Sequence, residues 1–297
     1  MVAYVFPGQG SQKTGMGLDL KELSVLASEM YDEADAALGF PISSVSFEGP
    51  EEELTKTRNA QLAILIYNAI ATRLLVERTG KKPEVVAGHS LGEFSALLAA
   101  EMVSFSDALK IVNKRGELMA SADPDSRGAM AAVLGLDDET VKRVCAEISI
   151  EHYVEPVNFN CPGQVVISGL KPAIDIAETR LKEAGAKRVL KLAVSVAFHS
   201  KLMENASLEF GEFLKTISFK PPICPVISNV TADTMDASNV RELLTLQMRS
   251  PVQWTKSIQT FEKMGVKECV EIGYGSVLAG MIKKISPIIA VKTWKDA

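Results

Sequence analysis

Short apolar runs that end in glycine-containing turns limit the possible folds of this chain more than any other feature. The run Val2 to Phe6 leads into Pro7-Gly8-Gln9-Gly10-Ser11-Gln12, and the run Glu84 to Gly88 ends at His89-Ser90-Leu91-Gly92. Both are typical of buried strands that end in loops. Helical periodicity covers about Leu20 to Leu38, Asn59 to Thr79, Glu93 to Ala100 and Phe105 to Met119. Because strands that alternate with helices form parallel sheets with helical crossovers, the sequence predicts the α/β class.

The pattern changes between Ser126 and Val194. Strands and helices are expected there in the order β-α-β-β-α-β, at Ala129 to Leu134, Asp137 to Ile148, Val154 to Asn160, Gln164 to Leu170, Lys171 to Gly185 and Lys187 to Val194. This order is the split βαβ, ferredoxin-like motif. We therefore expect a small inserted domain at residues 126–196, entered through Asp123-Pro124-Asp125-Ser126, within a larger domain of residues 1–125 and 197–297.

The larger domain is expected to resume after Phe198. Its predicted helices are Leu202 to Leu214, Val240 to Gln247, Trp254 to Met264 and Val277 to Lys284, and its predicted strands are Val226 to Asn229, Glu268 to Ile272 and Ile288 to Lys292. The alternation of the first part of the chain is thus continued to its end.

The composition is that of a globular protein and excludes several functional classes. Of the 297 residues, 47% are hydrophobic and 23% are charged, so the chain can bury enough apolar surface to fold. The formal net charge of −5 differs from the basic excess of nucleic-acid-binding proteins, so we expect no nucleic-acid partner. The longest apolar stretch, Ala63 to Val76, is interrupted by Asn68 and Arg73, so we expect no membrane association.

The cysteines and histidines do not form a metal-binding pattern. Four cysteines are scattered without a close pair, at Cys145, Cys161, Cys224 and Cys269. Free thiols in a reducing cytoplasm are the expected state, and the N-terminal residues have no signal-peptide pattern. The chain has only three histidines. We expect no metal and no bound cofactor.

The Gly88-His89-Ser90-Leu91-Gly92 segment is a GxSxG sequence directly between an apolar strand and an amphipathic helix. In this context a serine lies on a sharp turn whose backbone angles require small neighbours, and the turn exposes the hydroxyl. The helix N-terminus that follows stabilises negative charge. The segment predicts that Ser90 is a nucleophile, the alternative being a glycine-serine turn that only caps a helix.

A serine nucleophile requires a nearby base, and three imidazoles are available. The His89 side chain is expected to point away from the Ser90 hydroxyl across the turn, and His152 lies beside Glu151 in a polar loop. His199 follows the apolar segment Leu192 to Phe198, interpreted as a strand that ends at the top of the sheet. By elimination His199 is the predicted base. The alternative is a histidine that merely terminates a strand.

The Gly8-Gln9-Gly10-Ser11-Gln12 loop also follows a strand, but it has neither the lysine nor the spacing of a phosphate-binding loop. We interpret it as the source of a backbone N–H that completes an oxyanion hole with the N–H of Leu91, although a plain turn is the alternative. Arg115 lies on the predicted helix between Phe105 and Met119, where an arginine is ordinarily a solvated charge.

Together these motifs resemble the malonyl-CoA:acyl carrier protein transacylases. The resemblance extends over essentially the whole chain and is carried by Phe6 to Gln12, Gly88 to Ala96, Pro156 to Asn160, Pro162 to Val166, Phe198-His199-Ser200 and Ser250 to Trp254. It implies an α/β-hydrolase-like large domain with an inserted ferredoxin-like small domain and an active site in the cleft between them. It also includes the acyltransferases of polyketide synthases, among them free-standing ones.

The resemblance implies a role for each matching residue. Ser90 would be the nucleophile that becomes malonylated, and His199 its general base and acid. The backbone amides of Gln9 and Leu91 would form the oxyanion hole, and Arg115 would bind the malonyl carboxylate. The remaining implied residues are Gln247, whose backbone carbonyl would orient the histidine, and the substrate-pocket residues Gln61 and Asn160.

Phe198 resembles the malonyl-preferring version of its segment in polyketide enzymes, where the ring occupies the space that an α-methyl branch would need. This feature favours a free-standing acyltransferase of polyketide biosynthesis, with fatty-acid synthesis as the alternative. The implied partners are malonyl-CoA and an acyl carrier protein. Two other hypotheses remain: a hydrolase that clears acyl carrier proteins, and a non-catalytic scaffold that binds the carrier, for which Ser90 would be dispensable.

Overall fold

The fold is described here from a computed structural model that covers residues 1–194 and 196–297. The described residues form ten strands: β1 Val2–Phe6, β2 Val85–Gly88, β3 Gly128–Leu134, β4 Val154–Cys161, β5 Gln164–Leu170, β6 Arg188–Lys191, β7 Val226–Ile227, β8 Thr234–Met235, β9 Glu268–Glu271 and β10 Ala290–Thr293. The α/β class predicted from the sequence is confirmed.

Thirteen α-helices connect these strands within the described residues. They are α1 Leu18–Leu23, α2 Val25–Leu38, α3 Ile42–Glu48, α4 Glu51–Thr55, α5 Thr57–Thr79, α6 Gly92–Ala99, α7 Phe105–Ser121, α8 Asp138–Ile148, α9 Lys171–Glu183, α10 Glu204–Leu214, α11 Val240–Gln247, α12 Trp254–Lys263 and α13 Leu278–Ile285. A 3₁₀ turn at Lys201–Met203 precedes α10.

The larger sheet has six strands in the order β10-β9-β1-β2-β7-β8. All neighbouring pairs are parallel except β7 and β8, which are antiparallel. The carboxyl ends of β1, β2 and β7 therefore lie side by side at one edge of the sheet. In open α/β sheets this edge is where ligands bind.

The smaller sheet has four antiparallel strands in the order β4-β5-β3-β6. Helices α8 and α9 pack on it around a separate hydrophobic cluster that includes Val133, Ile167 and Leu181. Asp137 caps the N-terminus of α8, because its carboxylate accepts a hydrogen bond from the Thr140 N–H at 2.8 Å. The two sheets meet where the Val252 N–H donates to Val157 O at 2.8 Å and the Phe159 N–H donates to Val252 O at 3.0 Å.

Helix α5 packs against six other helices, α1 to α4, α6 and α7. By length and composition it could cross a membrane, and 72% of its most apolar window is buried inside the protein. Thirteen of its residues are buried, including Leu65 and Ile70. Contact with the rest of the core accounts for its apolar composition.

Several predicted elements require correction. The single helix expected over about Leu20 to Leu38 is two helices, because Ser24 adopts an extended conformation and its hydroxyl accepts from the Leu26 N–H at 3.2 Å. The strand expected over Val226 to Asn229 ends at Ile227. Strands were also expected over Lys187 to Val194 and over Leu192 to Phe198, but β6 ends at Lys191 and none of the described residues from 192 to 198 lies in a strand. Ser195 lies outside the described residues.

Candidate active site

Ser90 lies at a sharp turn between β2 and α6. Its φ of +51° is in the left-handed region, which L residues rarely occupy. Both flanking glycines are required by close approach, because a Cβ on Gly88 would lie 1.9 Å from the Gly92 carbonyl carbon and a Cβ on Gly92 would lie 2.0 Å from Phe6 O. The backbone is therefore folded into the strained strand-to-helix turn that presents a serine at the edge of the sheet.

The His199 imidazole contacts the Ser90 hydroxyl directly. The distance from Ser90 Oγ to His199 Nε2 is 2.7 Å, and His199 Nδ1 lies 2.8 Å from the backbone carbonyl oxygen of Gln247. Since a carbonyl oxygen only accepts, Nδ1 carries the proton and Nε2 of the neutral ring accepts from the Ser90 hydroxyl. His199 reaches this position from a turn with φ of +59°, not from a strand end.

The surroundings of His199 favour its neutral form. The side chain is 3% exposed. Burial, and secondarily the charge of Arg115, lower the pKa of His199 to about 3. The free imidazole is therefore available as a proton acceptor at neutral pH.

Arg115 is buried beside the serine rather than solvated as an arginine on a helix ordinarily is. Its Nη2 lies 3.2 Å from Ser90 Oγ and donates to Gln247 Oε1 at 3.0 Å, and its Nη1 donates to Gln61 Oε1 at 2.7 Å. Nε has no hydrogen-bond partner among the described residues. Burial lowers the pKa of Arg115 to about 10, which leaves the guanidinium charged at neutral pH.

Two residues that the sequence analysis did not assign hold the turn in place. Asn229, which follows β7, accepts from the Ser90 N–H at 2.7 Å and donates to Gly88 O at 2.6 Å. Glu93, in the first turn of α6, accepts from the Asn229 N–H at 2.9 Å and from Gln247 Nε2 at 2.5 Å. Asn229 was the polar last residue of the strand predicted over Val226 to Asn229, and the sequence alone did not show which residues lie next to it in the fold.

The smaller sheet contributes Asn160 to the same region. Asn160 Oδ1 lies 2.7 Å from His89 Nε2, so the His89 ring is directed toward β4 and the ring of Trp254. His89 therefore makes a different contact from His199, in agreement with the side-chain direction expected from the sequence. His152 is exposed to solvent.

The two amides expected to form an oxyanion hole lie on adjoining segments. A Cβ on Gly8 would be 2.4 Å from His89 O and 3.6 Å from the Leu91 nitrogen, so the loop after β1 packs against the turn after β2. Neither the Gln9 nor the Leu91 N–H donates a hydrogen bond within the described part of the chain. Both are free to donate to a ligand oxygen.

The remaining predicted residue, Phe198, is buried in the main hydrophobic cluster immediately before His199. A cavity of about 570 Å³ lies elsewhere, between α5, α6 and the segment around Lys220. Ser90, Arg115 and His199 are not among its lining residues. Within the described ranges, no group of three or more His, Cys, Asp or Glu side chains could hold a metal ion.

An α/β protein with a serine at a strand-to-helix turn, hydrogen-bonded to a buried neutral histidine, has the arrangement of enzymes that transfer acyl groups through a serine ester. Comparison with known proteins agrees with this class. The acyl transferase domain matches residues 3–287 of the chain.

Similar proteins narrow the class to one family. The malonyl CoA-acyl carrier protein transacylase of Bacillus subtilis is 46% identical over 287 residues, which cover 96% of this chain and 90% of that protein. The protein of the same name from Escherichia coli K12 is 43% identical over 284 residues, with 95% and 92% covered. The chain is an acyltransferase and belongs to the malonyl CoA-acyl carrier protein transacylase family.

Solved structures agree with this membership. A malonyl-transacylase in complex with a type II PKS acyl-carrier protein superposes with a TM-score of 0.96 at 42% identity, covering 98% of this chain and 95% of that chain. An acyl carrier protein S-malonyltransferase from Vibrio cholerae gives 0.94 at 41% identity, with 98% and 96% covered.

Proposed function

We propose that this chain transfers a malonyl group from malonyl-CoA to the phosphopantetheine thiol of an acyl carrier protein through a malonyl ester of Ser90. One observation carries the proposal: the Ser90 hydroxyl lies 2.7 Å from His199 Nε2 and 3.2 Å from the buried Arg115 guanidinium. A base and a carboxylate-binding cation thus converge on one oxygen. The names of the relatives state the same substrates for those proteins.

In the first half-reaction, Ser90 loses its proton to His199 Nε2 as Oγ attacks the thioester carbonyl of malonyl-CoA. The developing oxyanion accepts hydrogen bonds from the N–H groups of Gln9 and Leu91, and loss of one such donor typically raises the barrier by about 2.7–4 kcal/mol. The tetrahedral intermediate then expels the thiolate of coenzyme A, which takes the proton from Nε2. The hydrogen bond from Nδ1–H to Gln247 O holds the ring in the required tautomer.

In the second half-reaction, the carrier's phosphopantetheine thiol gives its proton to His199 Nε2 and attacks the malonyl-Ser90 carbonyl. The same amides stabilise the second oxyanion, and Ser90 Oγ leaves with the proton from Nε2. The products are the malonyl thioester of the carrier and the free serine. Because one imidazole alternates between base and acid, the reaction needs no further proton carrier.

Arg115 supplies acyl selectivity in this proposal. The malonyl carboxylate of an ester at Ser90 comes within reach of the guanidinium, whose unpaired Nε is an available donor. Hydrogen bonds to charged groups contribute about 1.5–3 kcal/mol each. An acetyl group leaves the buried cation without a carboxylate, so it is disfavoured. Gln61 shapes the same pocket by accepting from Nη1, and Asn160 approaches it from the smaller sheet.

For the pathway, we infer a trans-acting role in polyketide biosynthesis from Phe198, with fatty-acid synthesis as the second candidate. The malonyl-transacylase bound to a type II PKS carrier supports the first candidate, and the relatives named without a pathway are compatible with both. Steady-state rates with purified carriers of the two pathways distinguish them. A higher kcat/KM with the fatty-acid carrier would reject the polyketide assignment.

For the domain arrangement, we infer an α/β-hydrolase-like large domain at residues 1–125 and 197–297 and a ferredoxin-like insert at 126–196. The order β4-β5-β3-β6 and the separate cluster around α8 and α9 support the insert. We also infer a cytoplasmic location, because all four cysteines are free and buried.

The test is to incubate the protein with malonyl-CoA and a holo acyl carrier protein and to quantify malonyl-carrier and free malonate by mass spectrometry. The proposal predicts malonyl-carrier as the main product and none of it with Ser90→Ala. Malonate as the main product would instead identify a hydrolase. Unchanged behaviour of Ser90→Ala in carrier binding, with no product from either protein, would indicate a scaffold.

A further inference from the structure

Glu93 is a buried carboxylate that has no part in the mechanism above. It is 1% exposed and lies three residues after Ser90 in the first turn of α6. Each of its oxygens faces a donor: Oε1 accepts from the Asn229 N–H at 2.9 Å, and Oε2 accepts from Gln247 Nε2 at 2.5 Å. Removing a carboxylate from water costs free energy that its hydrogen bonds only partly offset. The position of Glu93 beside the nucleophile therefore requires an explanation.

Gln247, whose side chain Glu93 holds, contacts three groups of the site through its backbone and its side chain. Gln247 accepts from His199 through its backbone carbonyl at 2.8 Å, and its Oε1 accepts from Arg115 Nη2 at 3.0 Å. Its Nε2 also donates to Ser90 O at 2.9 Å. Gln247 is therefore shared by the base, the cation and the backbone of the turn.

The orientation of the Gln247 amide depends on what faces its two ends. An amide has one accepting oxygen and one donating NH₂ group, whereas the two Glu93 oxygens each face an N–H donor and therefore both accept, as in an ionised carboxylate. Glu93 therefore fixes the NH₂ group on its own side and leaves Oε1 to face Arg115. The same carboxylate also accepts from the Asn229 N–H, and the Asn229 side chain accepts from the Ser90 N–H.

We propose that Glu93 is a positioning residue that, by fixing the Gln247 amide and Asn229, sets the direction of the Arg115 guanidinium and thereby the preference for a carboxylate-bearing acyl group. It touches no substrate and acts through its two neighbours. The inference rests on the proposed function, because it assigns a determinant of malonyl selectivity at the same site.

Glu93→Gln tests this directly because glutamine keeps the shape of glutamate. Glutamine brings one donor where glutamate has two acceptors. In either amide orientation its NH₂ group opposes the Asn229 N–H or the Gln247 NH₂, so one of these donors loses its acceptor. If the Gln247 amide rotates by 180°, its oxygen accepts from the new glutamine, but its NH₂ group then faces Arg115. The guanidinium is then displaced from its place beside Ser90 Oγ.

The experiment measures single-turnover acylation of Ser90 by intact mass, with malonyl-CoA and acetyl-CoA separately, and takes the ratio of the two kcat/KM values. Since this ratio is independent of the folded fraction, a merely structural defect leaves it unchanged. Glu93→Gln is expected to lower the ratio at least about tenfold, the factor that corresponds to about 1.4 kcal/mol for one buried donor left unpaired. A folded Glu93→Gln with the wild-type ratio would overturn the inference.

Glu271 provides the matched control. It is also a fully buried carboxylate, and it accepts from the Leu278 and Ala279 N–H groups at 2.8 Å each, at the start of α13. Glu271→Gln introduces the same conflict of donors at a carboxylate whose hydrogen-bond partners are the Leu278 and Ala279 N–H groups and not residues of the site. It is expected to lower stability and to keep the wild-type selectivity ratio. A ratio lowered equally in both variants would contradict the positioning role.

A double-mutant cycle keeps the inference testable if Glu93→Gln is poorly folded. Gln247→Met removes the amide and retains the backbone carbonyl that contacts His199. If Glu93 acts mainly through that amide, adding Glu93→Gln to Gln247→Met changes the ratio much less than it does in the wild type. Additive effects would reject the inference. Failure of the wild-type protein to form a malonyl adduct would instead reject the proposed function.

Discussion

At the scale of single residues, the role proposed for Arg115 in acyl selectivity depends on the burial of its charge. Its guanidinium is 1% exposed and is held between Gln61 and Gln247 beside the serine hydroxyl. Both partners are neutral side chains that accept hydrogen bonds without neutralising the charge. The positive charge therefore remains available to a carboxylate substrate, in surroundings where its pairing matters more than it does in water.

Replacing Arg115 by alanine removes that charge. We expect Arg115→Ala to lower kcat/KM for malonyl-CoA about 100-fold, from the loss of two charge-assisted hydrogen bonds, and to raise the relative rate with acetyl-CoA. Steady-state transfer to a holo carrier with each thioester measures both quantities. An unchanged malonyl-to-acetyl ratio would remove Arg115 from the binding of the carboxylate.

Phe198 offers a second test of acyl selectivity. In the proposed role its ring occupies the space of an α-methyl branch, so Phe198→Ser is expected to raise the rate with methylmalonyl-CoA relative to malonyl-CoA. Competition between the two thioesters, read as the ratio of adducts on Ser90, measures the change. The same ratio in both proteins would contradict the crowding argument.

The lowered pKa of His199 predicts a dependence of stability on pH. The folded protein keeps this imidazole neutral down to a pKa of about 3, whereas in the unfolded chain it binds a proton below about 6.5. The unfolded state thus binds more protons as the pH falls through this window, and stability is lost. At about pH 5 the expected loss from His199 is about 2 kcal/mol.

His199→Gln isolates this contribution because glutamine does not titrate. We expect the wild-type protein to lose about 2 kcal/mol more unfolding free energy than the variant between about pH 7.5 and 5. Urea unfolding at each pH measures the difference. Burial raises the pKa of Glu93 to about 7, which acts in the opposite direction but in both proteins. Equal acid sensitivity of the two proteins would contradict the assignment to His199.

At the scale of the elements, the sequence predicted the strands and helices that have strong periodicity. It missed short elements whose conformation depends on contacts with the rest of the fold. The bounds of β1, β5 and α11 agree with the prediction, since apolar pattern and turn residues define them locally. The two-residue strand β8 and the short helices α3 and α4 were not predicted. Such short segments carry too few residues to establish a period.

The path to His199 shows the same limit at the site itself. Apolar residues from Leu192 onward favoured a strand, but those at 196 to 198 are buried among helices and turns instead. The apolar composition of this segment is consistent with its burial, but it does not distinguish a strand from a buried loop. The contacts of Glu93 and Asn229 could not be predicted from the sequence either, because they join α6, the segment after β7 and α11, which are distant in sequence.

The glycines of the strand-to-helix turn make a prediction at this scale. Gly92→Ala places a Cβ 2.0 Å from Phe6 O, so β1 and α6 must separate and Ser90 must move. We expect a loss of more than about 3 kcal/mol and no measurable acylation. Gly280→Ala in α13 is the control, since no heavy atom lies within 4 Å of the added Cβ. It is expected to gain up to about 1 kcal/mol, because alanine favours helix. Similar thermal midpoints for both variants would contradict this account.

At the scale of the whole molecule, the site is built where the two sheets meet. The larger sheet places Ser90 and the loops after β1 and β7 at one edge. The smaller sheet is joined to the segment around Val252 by backbone hydrogen bonds, and its Asn160 contacts His89. The sequence predicted both sheets and the residues at their ends, and the contacts between them emerged only from the structure.

A carrier protein has to approach this junction, and exposed lysines there make a prediction. Lys283 and Lys284 lie in the last turn of α13, which packs against β4 of the smaller sheet, and neither forms an ion pair among the described residues. Lys191, by contrast, is paired with Asp175 and Glu178. Because acyl carrier proteins are usually acidic, the double variant Lys283→Glu/Lys284→Glu is expected to raise KM for the carrier about tenfold and to leave Ser90 acylation by malonyl-CoA unchanged. Transfer rates measured against carrier concentration report this change.

Lys220 supplies the control for charge alone, since it is exposed beside the remote cavity. Lys220→Glu is expected to keep the wild-type KM for the carrier. Equal effects of the Lys220 and Lys283/Lys284 variants would indicate that net charge, and not a docking position, determines carrier affinity.

The central claim is that one hydroxyl, activated by one imidazole, carries the acyl group between two thiols. Tandem mass spectrometry of the protein digested after brief exposure to malonyl-CoA tests it most directly. The account predicts a malonyl group on the Ser90 peptide, formed far more slowly in His199→Ala and discharged by a holo carrier but not by one lacking phosphopantetheine. A malonyl group on another residue, or an adduct that the holo carrier fails to discharge, would contradict it.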